Sequence, residues 1–378
     1  MNKEEKRHSR RDFLVGSSKK LAGISALSPL ILSDTRNAAA ETRDKASFPA
    51  SASPMVRYDV DSSWPRKPAS ITWGGIPAVM VDQQDRVWIS SRSHPAVQVY
   101  DSDGNFLKAW DSPSLFDNSK TGVSLFRSPE QPPNLHYFKF DDDGTIWFAN
   151  TNRHIVQRCT QDGKLLLTIG TPDTPGEDNA HFNRPTDMTA TPEGLFITDG
   201  YGNRRVVHYT RQGKFINSWG KEGTAPGDFI DPHAIVHDSK GRLYVADRGN
   251  VRIQVFDYNG ALLDIWRDLV LPWGLWINDS DEIWVCGTSP IQLENYRAIT
   301  GGKELKDQII MKFDTSGKAL QIWSFPTCFI GDQKPGNLNV VHGIALDSRG
   351  DIYLGEAFIP RVQKFVLSDD MTQVKGEF

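Results

Sequence analysis

The sequence predicts an all-β fold, a six-bladed β-propeller, on three observations. One pattern is stated twice between Arg184 and Trp266: four short apolar runs separated by polar turns, with a period of about 47 residues. Each copy reads the same way. An apolar run ends in a turn (Thr191–Gly194, Asp238–Gly241), a second ends in Asp199-Gly200 or Asp247-Arg248, a third carries Arg205-Val206-Val207 or Arg252-Ile253-Gln254, and a fourth closes on Trp219 or Trp266. Four further copies extend the pattern over the rest of the chain with none left over.

The 378 residues begin with a segment of different character. Ser9-Arg10-Arg11-Asp12-Phe13-Leu14 resembles a twin-arginine export signal; a short apolar run from Leu21 to Leu32 and a small-residue site at Ala38-Ala39-Ala40 follow. Residues 1–40 are therefore expected to be a signal peptide, with the protein periplasmic or secreted. The apolar run is too short to span a bilayer. Residues 41–54, rich in Ser, Ala and Pro, form a linker, and residues 55–378 form the propeller. The net charge is −4, and the basic front leaves about −8 on the remainder. An acidic body without a basic stripe argues against nucleic acid. Cys159, Cys286 and Cys328 are too few and too scattered for a disulfide framework, though a single bridge is open. A monomer is expected.

The elements follow in order. Met55–Val60 is expected to be a strand that completes the last blade and joins the two ends of the chain, removing an open edge. Blade 1 runs from Ile76 through Val87–Ser90 and Val97–Tyr100 to Trp110, and blade 2 starts at Leu135. Blades 3 and 4 are the two clearest copies. Blade 5 starts at Pro272, with an insertion near 288–307, and blade 6 starts at Val341. The long Pro/Gly/Asp-rich insertions (112–134, 171–183, 288–307 and 326–339) mostly precede a first strand and are expected to gather over one mouth of the channel.

Aligning the first strands brings one position to notice. Its occupants are Pro77, His136, Thr186, His233, Trp273 and His342, so histidines stand in alternate blades. First strands line the channel, and alternate blades are related by a rotation of about 120°. Three imidazoles at one height can converge on one metal ion with a position left open, an arrangement suited to Zn²⁺ or another divalent transition metal. His237 lies four strand residues beyond His233, about 13 Å away, too far to share that ion. His94, His154, His181 and His208 fall outside the register. The turns after the second strands face the channel mouth and present Arg92, Tyr201 and Asp247-Arg248. A tyrosine beside a cation can serve as a general base, and arginines there can hold a carboxylate. Asp247 and Arg248 read equally as a blade-to-blade ion pair.

The repeats resemble NHL repeats. More narrowly, HFNRPTDMTATPEGLFITDGYGNRRVVHYTRQGKFINSWG from His181, DPHAIV and VADRGNVRIQVF are similar to the catalytic domain of the peptidyl-α-hydroxyglycine α-amidating lyases, and the likeness covers most of residues 72–366. The resemblance implies a six-bladed propeller with zinc on His136, His233 and His342, Tyr201 and Arg92 as catalytic residues, and Arg92 and Arg248 as substrate-binding residues. It implies cleavage of the N–C bond of a carbinolamide bearing a carboxylate, giving an amide and glyoxylate, with an oxygenase upstream to supply the hydroxylated substrate, peptide or small molecule. Several positions depart from the family. Val340-Val341 replace Met-Pro before the last histidine. Gly343 replaces an Asp that binds calcium, which puts a channel calcium in doubt. Asn183 and Gly202 replace a disulfide. Two alternatives stand beside the lyase: a metal-dependent hydrolase or lactonase, and an exported binding propeller with a structural metal.

Overall fold

The computed structural model describes residues 56–112, 135–267, 269–289, 308–328 and 331–368. The twin-arginine segment, the linker and most of the insertions at 112–134 and 288–307 lie outside the described residues. Six four-stranded antiparallel sheets follow one another along the chain. The first five are each built from four consecutive strands, for example Asp187–Thr191, Gly194–Asp199, Arg205–Tyr209 and Phe215–Trp219 in blade 3. The sixth takes three strands from the end of the chain and its outermost from the start, where Tyr58–Asp61 pairs with Arg361–Leu367. The closing strand thus begins three residues later than the sequence suggested.

The repeat is held by two side-chain devices. In the first, an Asp ends the inner strand and caps its own turn: Asp238 Oδ1 accepts the backbone N–H groups of Lys240 and Arg242, both at 2.9 Å. Its other oxygen accepts from an aromatic residue six positions on. Trp88 donates to Asp82 (2.7 Å), Trp147 to Asp141 (2.9 Å), Tyr244 to Asp238 (2.9 Å) and Tyr353 to Asp347 (3.0 Å). Each turn is thereby tied to the buried second strand of its blade. In the second device, a carboxylate at the end of the second strand binds an arginine of the third. Asp199 holds Arg205 at 3.0 Å, Asp247 holds Arg252 at 2.8 Å, and Glu356 holds Arg361. Each arginine then donates to carbonyls of the loop that leads into its own blade, as Arg252 does to Thr224, Ala225 and Asp228. Asp247 is therefore matched to Arg252, which leaves Arg248 to another role.

Apolar burial lies between the blades. Among the described residues six hydrophobic clusters occur, and each combines side chains of two neighbouring blades, including the pair formed by blades 6 and 1. A closed ring of such seams fixes the inner strands around one axis. Second strands such as Ile146–Asn150 and Gly194–Asp199 are wholly buried, whereas the outermost Phe215–Trp219 alternates with solvent. Cys159, Cys286 and Cys328 are free and buried within this packing, so the open bridge is not made. No helix among the described residues is long and apolar enough to cross a membrane.

Candidate metal centre

The three register histidines meet. His136, His233 and His342 are buried, their ring centroids are 4.7, 4.6 and 4.8 Å apart, and one ligand atom from each lies within 4.8 Å of the others. A local irregularity helps to aim them. The pairing of the inner strand with its neighbour shifts register between Leu135 and Phe138, Pro232 and Ala234, and Val341 and Gly343, so each histidine sits at a bulge. An extra residue at that point releases the side chain from the in-and-out alternation of the strand and lets it turn to the axis.

Hydrogen bonding fixes which nitrogen faces the axis. His136 Nδ1 lies 2.8 Å from the Thr186 carbonyl, His233 Nδ1 2.5 Å from that of Trp273, and His342 Nδ1 2.7 Å from that of Pro77. A carbonyl oxygen only accepts, so each Nδ1 carries the proton and donates it. The Nε2 atoms are left with lone pairs. Burial holds all three imidazoles well below the usual histidine range; next in weight come His342 for His136, Arg248 for His233 and Arg92 for His342. They are neutral, the state in which imidazole binds metal.

Tyr201 Oη lies 2.9 Å from His136 Nε2 and 2.8 Å from His233 Nε2. A phenol has one proton and can donate to only one of them. Three imidazole lone pairs and a phenol oxygen therefore converge with a single proton to share. Such a surplus of lone pairs in a buried cavity is what a divalent cation relieves, and the donor set fits one. Among the described residues these three histidines are grouped so as to be able to hold a metal ion.

The sequence-predicted arginines act on the same phenol. Arg92 of blade 1 donates from Nη1 to the Ala357 carbonyl at 3.3 Å; loss of water pulls its guanidinium down to about 10, with the charge of Tyr201 opposing. Arg248 bonds Asp231 at 3.2 Å and lies 4.1 Å from the Trp273 ring and 5.4 Å from the Tyr201 ring. A third guanidinium, that of Arg184, lies 5.0 Å from the Tyr201 ring, and sequence reasoning missed it. His237 bonds Thr189 at 2.8 Å, away from the trio. His94 pairs with Asp111, His181 with Asp178 at 2.7 Å, His208 Nε2 donates to the Glu193 carbonyl at 3.0 Å, and His154 Nδ1 accepts the Arg184 N–H at 3.1 Å.

With this geometry the comparisons can be read. The NHL repeat family matches residues 229–256, within the fourth of six such blades. The chain carries an NHL repeat within a six-bladed propeller. Among its relatives is the peptidyl-glycine alpha-amidating monooxygenase of Mus musculus, 27% identical over 79% of the chain and 30% of that protein. A probable peptidyl-alpha-hydroxyglycine alpha-amidating lyase of Caenorhabditis elegans is 31% identical over 43% of the chain and 45% of its own length. Peptidyl-alpha-hydroxyglycine alpha-amidating lyase 1 of Drosophila melanogaster is 32% identical over 53% and 40%. The chain thus spans less than half the length of each of these three. A gluconolactonase structure from Xanthomonas campestris superposes with a TM-score of 0.52 at 15% identity, over 84% of this chain and 99% of that one, which speaks for the fold. The two positions that replace a disulfide are neighbours: a Cβ on Gly202 would sit 2.1 Å from Asn183 Cγ.

Proposed function

We propose that the protein is a zinc-dependent lyase that cleaves the N–C bond of an α-hydroxyglycine-type carbinolamide to an amide and glyoxylate. The observation that supports it most is the surplus of lone pairs at the axis, three Nε2 atoms and Tyr201 Oη with one proton between them. His136, His233 and His342 would hold the ion, which supplies positive charge to stabilise an oxyanion developing beside it. The remaining steps belong to this chain's own side chains. Arg92 binds the substrate carboxylate by paired charge-assisted hydrogen bonds, and Arg248, anchored by Asp231 and Trp273, orients the substrate beside Tyr201. Tyr201 Oη is the general base that takes the proton of the α-hydroxyl. The O–H pair becomes the aldehyde C=O, the C–N pair leaves with nitrogen, and the proton held at Oη returns to that nitrogen. No water enters the products.

The named lyases among the relatives support the same reading. Export by the twin-arginine route, an upstream oxygenase and a monomeric state are further parts of the proposal, resting on the sequence alone. The test is incubation of the zinc-loaded protein with α-hydroxyhippurate and assay of glyoxylate. Stoichiometric glyoxylate and benzamide support the lyase. Benzoate and ammonia in place of benzamide point to a hydrolase, and zinc binding without turnover points to a structural metal.

A further inference from the structure

We propose that Arg184 is a substrate-binding residue of this site, and that the preferred substrate carries a second carboxylate on its acyl side. The inference rests on the lyase reading for the identity of the first carboxylate.

Arg184 is placed by the repeat. It stands two residues before the channel residue Thr186, as Asp231 stands before His233 and Val340 before His342. All three have left-handed backbones, with φ of 64°, 57° and 45°. The conformation is unfavourable for a residue with a side chain, yet three blades share it, so it belongs to the way the chain enters an inner strand. What varies is the side chain delivered to the rim. In blade 4 it is Asp231, whose carboxylate reaches Arg248 at 3.2 Å. In blade 3 it is Arg184, whose guanidinium lies 5.0 Å from the Tyr201 ring. The loop beneath is fixed by the bond from the Arg184 N–H to His154 Nδ1 at 3.1 Å.

Charge is unbalanced at this rim. Arg184 and Arg248 approach the same phenol ring, at 5.0 and 5.4 Å. Arg248 has Asp231. The Arg184 side chain forms no ion pair and no side-chain hydrogen bond among the described residues. Guanidinium groups repel one another, and stacking on one phenol is weak compensation. An anion bound by Arg184 offsets this charge and uses the fork of donors that a guanidinium presents. One carboxylate is assigned to Arg92; Arg184 is positioned for another.

The test is binding, on the full chain, both metal-free and zinc-loaded. Calorimetry compares hippurate with 4-carboxyhippurate, and N-butanoylglycine with N-succinylglycine; none has the α-hydroxyl, so none is cleaved. The dianion of at least one pair is expected to bind about ten-fold more tightly than its monoanion, in both metal states. Arg184→Gln is expected to bring that ratio to about two-fold or less, and Arg184→Lys to keep part of it. A ratio near one in the unaltered protein, a ratio that Arg184→Gln leaves intact, or no binding of any of the four would overturn the proposal. Cleavage of α-hydroxyhippurate is assayed separately. Cleavage without dianion preference removes only the role of Arg184, and preference without cleavage removes only the lyase.

Discussion

The two ends of the channel are built from the same inner strands and put their polar groups to opposite uses. Where those strands begin, lone pairs outnumber protons: three Nε2 atoms and Tyr201 Oη face one point. A few residues further along, polar groups are matched across the axis. Tyr137 of blade 2 sets its hydroxyl between the carbonyls of Trp273, at 3.1 Å, and His342, which share its one proton. Lys139 places its ammonium on Asp187 Oδ2, at 2.7 Å, and on the Ile235 carbonyl, while the same carboxylate oxygen accepts the Ile235 N–H at 2.9 Å. Blades 2, 3 and 4 are thereby tied by an internal cation. A buried polar cluster that is closed on itself contributes structure, and one that is left short of a cation is available for chemistry.

That contrast is most sharply broken by removing a ligand. Replacing His136, His233 or His342 by Ala is expected to abolish stoichiometric zinc and glyoxylate release, while the metal-free ring stays folded at a cost of about 1–3 kcal/mol for the carbonyl that loses its donor. Metal analysis of the purified variants and their thermal melts check both halves. Retention of one zinc per chain in any of the three would remove that histidine from the ligand set.

Tyr201→Phe comes next. It leaves the three Nε2 atoms in place and takes away only the proton acceptor, so zinc stoichiometry is expected to hold while kcat on α-hydroxyhippurate falls about 10²–10⁴-fold. Equal rates in the variant and the unaltered protein would reject Tyr201 as the base.

The far end responds in the opposite currency. Lys139→Met leaves the Asp187 carboxylate buried without its cation and is expected to cost about 3–5 kcal/mol in denaturant unfolding, with zinc stoichiometry unchanged in the folded protein. Adding Asp187→Asn is expected to recover part of that loss. A variant that loses zinc as completely as the histidine variants would show that the two ends are not separable.

How much of this was legible in the sequence follows from the range of each interaction. The histidine trio is visible because a repeat converts linear offset into angle: one register position, occupied by His in alternate blades, suffices. Tyr201, Arg92 and Arg248 follow from the turns after second strands, although Asp247 proves to serve Arg252 rather than Arg248. Lys139 and Asp187 are 48 residues apart, on different blades, and carry no local pattern that pairs them. Arg184 was missed because its repeat equivalents are Asp231 and Val340; only the shared left-handed backbone reveals the position as one that feeds the rim. The bulges at the histidines were equally silent, since bulges shift pairing without altering the spacing within a strand.

The smallest expected effect falls on the boundary between the two ends. Tyr137 follows His136 directly, its ring stacks on that of His342 at 5.1 Å, and its hydroxyl bonds the backbone carbonyl of the same histidine. Tyr137→Phe keeps the ring and removes only the hydroxyl, so the loss in stability should be about 1 kcal/mol. The consequence for the metal is the sharper readout. If Tyr137 serves only to close the far end, zinc affinity is unchanged in a competition assay with a chromophoric chelator. If it holds His342 in place, affinity drops about 10–100-fold, the range seen when the support of a metal ligand is removed. The hydroxyl bridges the Trp273 and His342 carbonyls, and the Trp273 carbonyl also accepts from His233 Nδ1. One phenol therefore touches the backbone or hydrogen-bond partner of two of the three ligands, and the second outcome is the one expected.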